Sequence, residues 1–129
     1  MKKLQPGIII NNRLDAFHTD ESHSLIGPNG EYATPEQFVA GYGAVPWETC
    51  MTLGHQWSWR WNDKPKELDA VTSVLIRCIG GNGNLLLNVG PDSLGRFPDG
   101  FKARLTELGN WIRERERTIY KTKGGPYMP

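Results

Sequence analysis

The sequence predicts an α/β fold in which parallel strands are joined by crossover helices. Two runs, 7–12 and 84–90, are short and almost continuously apolar, which is typical of strands buried on both faces. Two stretches with helical spacing follow Asp63 and Pro98. Buried strands that alternate with helices imply a parallel sheet covered by helices.

The first strand is predicted over Gly7-Ile8-Ile9-Ile10-Asn11-Asn12. From Arg13 to about Pro46 the periodicity vanishes, and Gly, Pro, Asn, Asp, Ser and His dominate. Connections of this length are usually functional or disordered. The sequence therefore predicts one long irregular loop over 13–46.

The second strand is predicted from Trp47 to Leu53, and the aromatic stretch 57–61 follows it as a loop. Asp63 is the predicted cap of the first helix, with Pro65 in its first turn. The Gly-rich run 80–83 ends that helix. Its apolar residues recur at helical spacing: Leu68, Val71, Val74, Leu75 and Cys78.

The third strand is predicted over 84–90, and Pro98 opens the second helix. Gly109 lies inside the apolar face of that helix, which we interpret as close packing against a neighbour. Residues 121–129 are rich in Gly and Pro and are expected to form a flexible tail. The apolar face consists of Phe101, Leu105, Leu108, Trp111 and Ile112.

Three strands of this kind are too few to close a barrel. An eight-stranded α/β barrel typically needs about 250 residues, and the chain has 129. The pattern is therefore that of a small open α/β unit or of a piece of a barrel.

Composition excludes several classes of function. The net charge is +1 and the basic residues form no long run, which argues against a nucleic-acid partner. No stretch of about 18 apolar residues predicts a membrane span. The first residues, Met1 to Pro6, are not followed by the apolar region of a signal peptide. Localisation is left open, with a lean toward the cytoplasm.

Cysteine and histidine give no sign of a metal or a disulfide framework. Cys50 and Cys78 are too few for a disulfide scaffold and are expected to be buried free thiols. His18 and His23 lack the spacing of zinc ligands. We expect neither a metal nor a cofactor.

Tryptophan is concentrated in one part of the chain. Four of the five tryptophans lie between positions 47 and 61. Indole faces stack well on the apolar faces of sugar rings, but core packing is the other common use of such clusters. Both interpretations stay open on the residues alone.

Several motifs occur together in one order and spacing. They resemble the end of the catalytic domain of α-L-fucosidases, the family 29 glycoside hydrolases, from about Pro6 to Tyr120. The resemblance implies that residues 1–120 are the C-terminal part of a (β/α)8 TIM-like barrel. The motifs are Ile10-Asn11-Asn12-Arg13, Thr34-Pro35-Glu36, Trp47-Glu48-Thr49-Cys50-Met51-Thr52, the run 83–91, Gly95, Pro98, Gly109-Asn110-Trp111-Ile112 and Ile119-Tyr120.

The resemblance also implies a reaction, the cleavage of α-linked L-fucose with retention and without a metal. Retention uses two carboxyl groups about 5–5.5 Å apart, one as nucleophile and one as acid/base. Glu36 matches the acid/base position; its alternative is a solvated loop glutamate. Arg13 resembles the arginine that pairs with the nucleophile; its alternative is a structural salt bridge.

Four further residues are candidates for binding the sugar. By resemblance, Trp57 packs on the methyl face of fucose, and Trp47 lines the same region. Glu48 is either a buried partner that orients the site or a rim residue. His55 either contacts sugar hydroxyls or is a plain loop histidine.

The family's nucleophile, an upstream aspartate, has no counterpart in this sequence. We therefore expect the chain to supply the acid/base half of a site that acts on a fucosylated glycan or fucoside. It would need a complementary barrel half or self-assembly as a homo-oligomer. The alternative is a non-catalytic remnant that self-associates or binds sugar weakly.

Overall fold

The computed structural model describes residues 2–15, 31–41 and 46–125. A 3-10 helix at Asn12–Asp15 precedes strand β1 at Trp47–Thr52 and helix α1 at Leu68–Gly80. Strand β2 follows at Gly83–Asn88, then helix α2 at Asp99–Arg113 and the short helix α3 at Glu116–Ile119. From residue 47 onward, the predicted order of strand, helix, strand and helix is confirmed.

The two strands form a parallel sheet, with α1 as the crossover between them. Trp47 lies opposite Gly83 at one end of the pair, and Thr52 lies opposite Asn88 at the other. The predicted parallel pairing of strands joined by a helix is confirmed. A parallel pair requires such a crossover because its two strands run in the same direction.

The helices cover one face of this sheet and form the core with it. Val71 of α1 and Phe101 and Leu108 of α2 are buried together with Leu53, and Leu87 of β2 packs against them. A second buried cluster lies toward the beginning of β1, where Cys78 of α1 packs with Trp47. Burial of these apolar side chains is the main source of stability for the unit.

The predicted strand over 7–12 is wrong. In the described part of the chain, residues 7–12 pair with another segment through one parallel bridge, between Asn11 and Tyr32. Ile9 is 72% exposed, so the run is not buried on both faces. The backbone N–H of Ile10 donates to a carboxylate oxygen of Glu31 at 3.0 Å rather than to a backbone carbonyl. The Glu31 side chain therefore replaces one backbone acceptor of a regular ladder, between the backbone hydrogen bonds from Glu31 N to Ile10 O and from Asn12 N to Tyr32 O.

The prediction of one irregular loop over 13–46 is also wrong in part, because residues 32–36 run extended; residues 16–30 and 42–45 of that loop lie outside the described residues. We call residues 31–37 the bridging segment. Its backbone alternates with β1: Cys50 N donates to Pro35 O at 3.0 Å, and Gln37 N donates to Cys50 O at 2.9 Å. The bridges to Asn11 and to β1 are all parallel. Residues 10–12, the bridging segment, β1 and β2 are thus neighbours in chain order, as strands are in α/β barrels.

Helix α1 begins later than the sequence predicts. Its first residue is Leu68, and the predicted cap Asp63 has another role. The Asp63 carboxylate accepts hydrogen bonds from the backbone N–H groups of His55, Gln56 and Lys64 at 3.0, 3.3 and 2.9 Å. It closes the aromatic loop at its base, so it is not available to cap the helix.

Two further features concern the packing of α2 and the end of the chain. A Cβ placed on Gly109 would meet no atom within 4 Å, so the predicted close packing is absent from the described part of the chain. Gly124, in the predicted tail, lies directly against the backbone of Asn82 and Gly80. Residues 126–129 lie outside the described residues.

Within residues 2–15, 31–41 and 46–125, none of the helices combines the length and the apolar character needed to cross a bilayer. Cys50 and Cys78 are both free; Cys78 is completely buried as predicted, whereas Cys50 is only partly buried.

Candidate active site

A cavity of about 400 Å³ lies on the face of the sheet opposite the helices. Along each extended segment, the lining residues occupy every second position, because successive side chains of a strand point to opposite faces. The register of the bridging segment against β1 therefore decides which side chains meet. The lining consists of Asn11, Arg13, Tyr32, Thr34, Glu36, Glu48, Cys50, Trp57 and Leu86.

Arg13 and Glu36 form an ion pair in this cavity. Arg13 Nη2 donates to Glu36 Oε2 at 2.9 Å, and both side chains are about half exposed (52% and 46%). Arg13 is the second residue of the 3-10 helix, and Glu36 bridges Cys50 on β1. The two residues that the sequence predicts for catalysis are thus in direct contact.

Backbone geometry next to Glu36 is unusual. Gln37 has a positive φ of 60°, in the left-handed region that residues with a side chain seldom occupy. Its side chain donates from Nε2 to Thr52 Oγ1 at 3.3 Å. The extended path of the bridging segment therefore ends in a sharp turn directly after the candidate acid/base.

Glu48 lies on β1 next to the ion pair. The sheet register puts it opposite Asn84 of β2, and Asn84 Nδ2 donates to Glu48 Oε2 at 2.6 Å. One carboxylate oxygen is thereby fixed by a neighbouring strand. The Glu48 side chain lines the cavity with its orientation set by this contact.

Trp57 supplies an aromatic wall. It lies in the loop after β1, lines the cavity and is 41% exposed. Asn88 Nδ2, at the end of β2, donates to the backbone carbonyl of Trp57 at 2.8 Å. The loop is thus fastened to the sheet at the residue that faces the cavity.

Trp47 and His55 are placed elsewhere. Trp47 is 2% exposed, its Nε1 donates to Gly81 O at 3.0 Å, and it belongs to the buried core. His55 is exposed and does not line the cavity. The predicted grouping of six site residues therefore reduces to four that share one cavity: Arg13, Glu36, Glu48 and Trp57.

The pKa values of two titratable groups are shifted, one on β1 and one in contact with the last residue of β1. Burial raises the pKa of the Cys50 thiol, and the negative charge of Glu36 raises it further. Burial lowers the pKa of Lys66, whose ammonium donates to the backbone carbonyl and hydroxyl of Thr52 at the end of β1.

The structure offers no metal centre in its described part. No group of three or more His, Cys, Asp or Glu side chains in the three described ranges could hold a metal ion. His18 and His23 lie outside those ranges.

Sequence reasoning missed Tyr32 and Thr34, which line the cavity, and Asn84, which holds the carboxylate of Glu48. In an extended segment, every second side chain points to the same face, so residues 32, 34 and 36 face the cavity together once the segment is known to be extended. Asn84 follows from its register opposite Glu48. The available signal was therefore the alternation itself, which is weak because only Ala33 and Pro35 form the buried side of the segment.

Comparison with known proteins identifies the family. The family model described as Alpha-L-fucosidase matches residues 1–116. The chain belongs to the alpha-L-fucosidase family of glycoside hydrolases.

Curated relatives show how much of the family this chain represents. It is 32% identical to an alpha-L-fucosidase of Dictyostelium discoideum over 88% of this chain and 24% of the relative. It is 30% identical to the plasma alpha-L-fucosidase of Rattus norvegicus over 77% of this chain and 23% of the relative. The chain thus spans about a quarter or less of the length of the curated relatives it matches.

Solved structures show the same similarity in three dimensions. Alpha-L-fucosidase isoenzyme 1 from Paenibacillus thiaminolyticus superposes with a TM-score of 0.78 at 30% identity, over 98% of this chain and 31% of that one. The Thermotoga maritima alpha-fucosidase in complex with fucose superposes with a TM-score of 0.69 at 29% identity, over 78% and 23%. The α/β unit therefore has the fold of the corresponding part of these enzymes.

Proposed function

We propose that this chain forms the acid/base half of an active site that hydrolyses terminal α-linked L-fucose with retention. The observation that carries the proposal is the contact of Arg13 Nη2 with Glu36 Oε2 at 2.9 Å in a cavity that Trp57 also lines. The family to which the chain belongs and the fucose bound by the Thermotoga maritima relative support this choice of sugar.

Glu36 is the proposed acid/base. A retaining glycosidase needs one carboxylic acid that protonates the leaving oxygen and a carboxylate that attacks the anomeric carbon. In the second step, the deprotonated acid accepts a proton from the water that hydrolyses the glycosyl-enzyme intermediate. Glu36 is half exposed on the cavity wall, where it can exchange a proton with substrate and water.

Arg13 is proposed to hold the nucleophilic carboxylate in its ionised form. A guanidinium close to a carboxylate favours the ionised form, which is the form a nucleophile requires. Arg13 contacts Glu36 through Nη2, and its other terminal nitrogen has no partner among the described residues. As far as the described residues go, that nitrogen is available to a second carboxylate contributed by another part of the assembly.

Trp57 and Glu48 are proposed to bind the sugar. L-fucose is a 6-deoxy sugar, so an apolar wall next to its methyl group is chemically suitable, and the indole of Trp57 offers one. Glu48 has one oxygen bonded to Asn84, which orients the carboxylate toward the cavity for sugar hydroxyls.

The chain is proposed to act with a complementary barrel half or as a homo-oligomer. Leu86 of β2 lines the cavity and is 51% exposed. In the described part of the chain, strand β2 pairs with β1 alone, so its other edge is open. Open strand edges and exposed apolar side chains favour association. Light scattering of the purified chain tests this; a monodisperse monomer would contradict self-assembly.

Hydrolysis of an aryl α-L-fucoside tests the proposed reaction. The chain is assayed alone and after mixing with a purified complementary barrel half taken from a relative. Activity should be lost in Glu36→Gln and retained in Glu114→Gln, an exposed glutamate outside the cavity. Activity that survives Glu36→Gln would remove Glu36 from the mechanism.

A non-catalytic role is the second candidate, and one observation favours it. Arg13 and Glu36 already satisfy each other, and Glu48 is the only other carboxylate that lines the cavity within the described residues. Such a chain would self-associate or bind fucose weakly without turnover. Fucose binding by calorimetry, with no hydrolysis under any mixing condition, would support this alternative.

A further inference from the structure

We infer that Thr34 is a positioning residue that aims the Arg13 guanidinium at Glu36. Three hydrogen bonds carry the inference: Arg13 Nε to Thr34 Oγ1 at 2.9 Å, Thr34 Oγ1 to Asn12 Oδ1 at 2.7 Å, and Arg13 Nη2 to Glu36 Oε2 at 2.9 Å. The catalytic consequence rests on the proposed function, whereas the positioning itself does not.

The single proton of the Thr34 hydroxyl fixes the direction of the two hydrogen bonds that this hydroxyl makes. That hydroxyl donates to Asn12 Oδ1, so its lone pairs remain for the Nε–H of Arg13. The backbone carbonyl of Thr34 also accepts from Arg13 Nη2, at 3.4 Å. The guanidinium is thus held along one edge by both oxygens of a single residue.

The two N–H groups on one edge of the Arg13 guanidinium, at Nε and Nη2, donate to two different residues. In a bidentate pair, Nε–H and Nη2–H would both meet one carboxylate. Here Nε–H goes to Thr34 and Nη2–H goes to Glu36. Because the guanidinium is planar, fixing Nε fixes the direction of Nη2 as well.

The hydrogen bond to Thr34 matters because the Arg13–Glu36 ion pair is too exposed to hold the arginine side chain in one position by itself. Arg13 and Glu36 are each about half exposed, and exposed ion pairs contribute little to stability. Thr34 is partly buried on the bridging segment, two positions before Glu36. A partly buried hydroxyl that is itself hydrogen-bonded gives the long arginine side chain one preferred position.

Under the proposed reaction, this anchor has a defined purpose. Glu36 would lose and regain a proton during each turnover, so the strength of its contact with Arg13 would change. Because Nε is held by Thr34, the guanidinium would stay in place through that change. Positioning by Thr34 would then affect turnover more than sugar binding.

The test uses NMR on the full chain and does not depend on activity. In the wild type, the Arg13 Nε–H should exchange slowly with water because it is hydrogen-bonded to Thr34 Oγ1. Thr34→Val replaces the hydroxyl by a methyl group and should speed this exchange about tenfold. Thr34→Ser keeps the hydroxyl and should restore slow exchange. The amide spectrum of each variant reports whether its fold is intact.

The possible outcomes are distinct. Fast exchange in a folded Thr34→Val protein and slow exchange in Thr34→Ser would support the inference; if the valine variant is unfolded, Thr34→Ala carries the same expectation. Equal exchange rates in wild type and Thr34→Val would overturn it, as would fast exchange in Thr34→Ser. A chain that never hydrolyses fucosides would refute the proposed function and leave this result unaffected.

Discussion

Arg13 and Glu36 form a 2.9 Å ion pair across 23 positions of the chain. The pair exists because the bridging segment runs parallel to β1 on one side and contacts Asn11 on the other through Tyr32. Neither residue belongs to a long helix or a regular strand. Their contact therefore depends on backbone hydrogen bonds between distant segments, and on Thr34 for its geometry.

The first prediction concerns Arg13→Lys. A lysine keeps the charge but lacks the planar fork that contacts Thr34 and Glu36 together. The free energy of unfolding should change by only about 0–1 kcal/mol, because the pair is exposed. Fucoside hydrolysis by the assembly should fall about tenfold or more, because the lysine ammonium is no longer held in the orientation that the guanidinium has. Unchanged kcat in the lysine variant would show that the fork is not needed.

The second prediction compares the effects of Trp47 and Trp57 on stability and on fucose binding. Trp47→Ala removes a buried indole and should lower the free energy of unfolding by about 3–5 kcal/mol. Trp57→Ala should cost about 1 kcal/mol or less, because its side chain is partly exposed, and should weaken fucose binding. Urea unfolding and calorimetric titration with fucose measure the two effects. A large stability loss for Trp57→Ala would place that indole in the core instead.

The third prediction compares two glycines. A Cβ on Gly83 would overlap the indole of Trp47, so Gly83→Ala should destabilise the chain by about 1–3 kcal/mol. Gly109 lies within α2 with open space around it, so Gly109→Ala should stabilise by about 0.5–1 kcal/mol. Thermal unfolding of both variants is the measurement. Destabilisation by Gly109→Ala would indicate that a partner packs on that face of α2 in solution.

The elements from β1 onward were predictable because their signals are local. Leu68, Val71 and Leu75 recur at helical spacing, and the apolar run of β2 marks a buried strand. The bridging segment gave no such signal, because its ladder is made by hydrogen bonds from Cys50 to Pro35 and from Gln37 to Cys50. The buried side of this segment consists of Ala33 and Pro35 alone, and two small apolar residues are too short a pattern to predict a strand.

The candidate site was predictable only in part, for a related reason. The resemblance to fucosidases indicated Glu36 and Arg13, and the structure brings them into contact. Composition could not tell a core indole from an exposed one. The parallel register decides this, because it sets Trp47 opposite Gly83, where the absent side chain leaves room for the ring.

The last prediction concerns Cys78 and pH. Burial raises the pKa of this thiol from 9.0 to about 11. Between about pH 9 and pH 11, the unfolded chain loses the thiol proton while the folded chain keeps it, so the free energy of unfolding should fall as pH rises. Below pH 9, the thiol is neutral in both states and contributes no pH dependence.

Cys78→Ala isolates this contribution. The variant is less stable at every pH, but the difference in unfolding free energy between wild type and variant should shrink from pH 9 to pH 11. The lowered pKa of Lys66 acts in the opposite direction, because its folded form binds fewer protons below the ordinary pKa of 10.5. Lys66 is present in both proteins, so its effect cancels in the difference. A difference that stays constant over this range would mean that the buried thiol ionises as readily as an unfolded one.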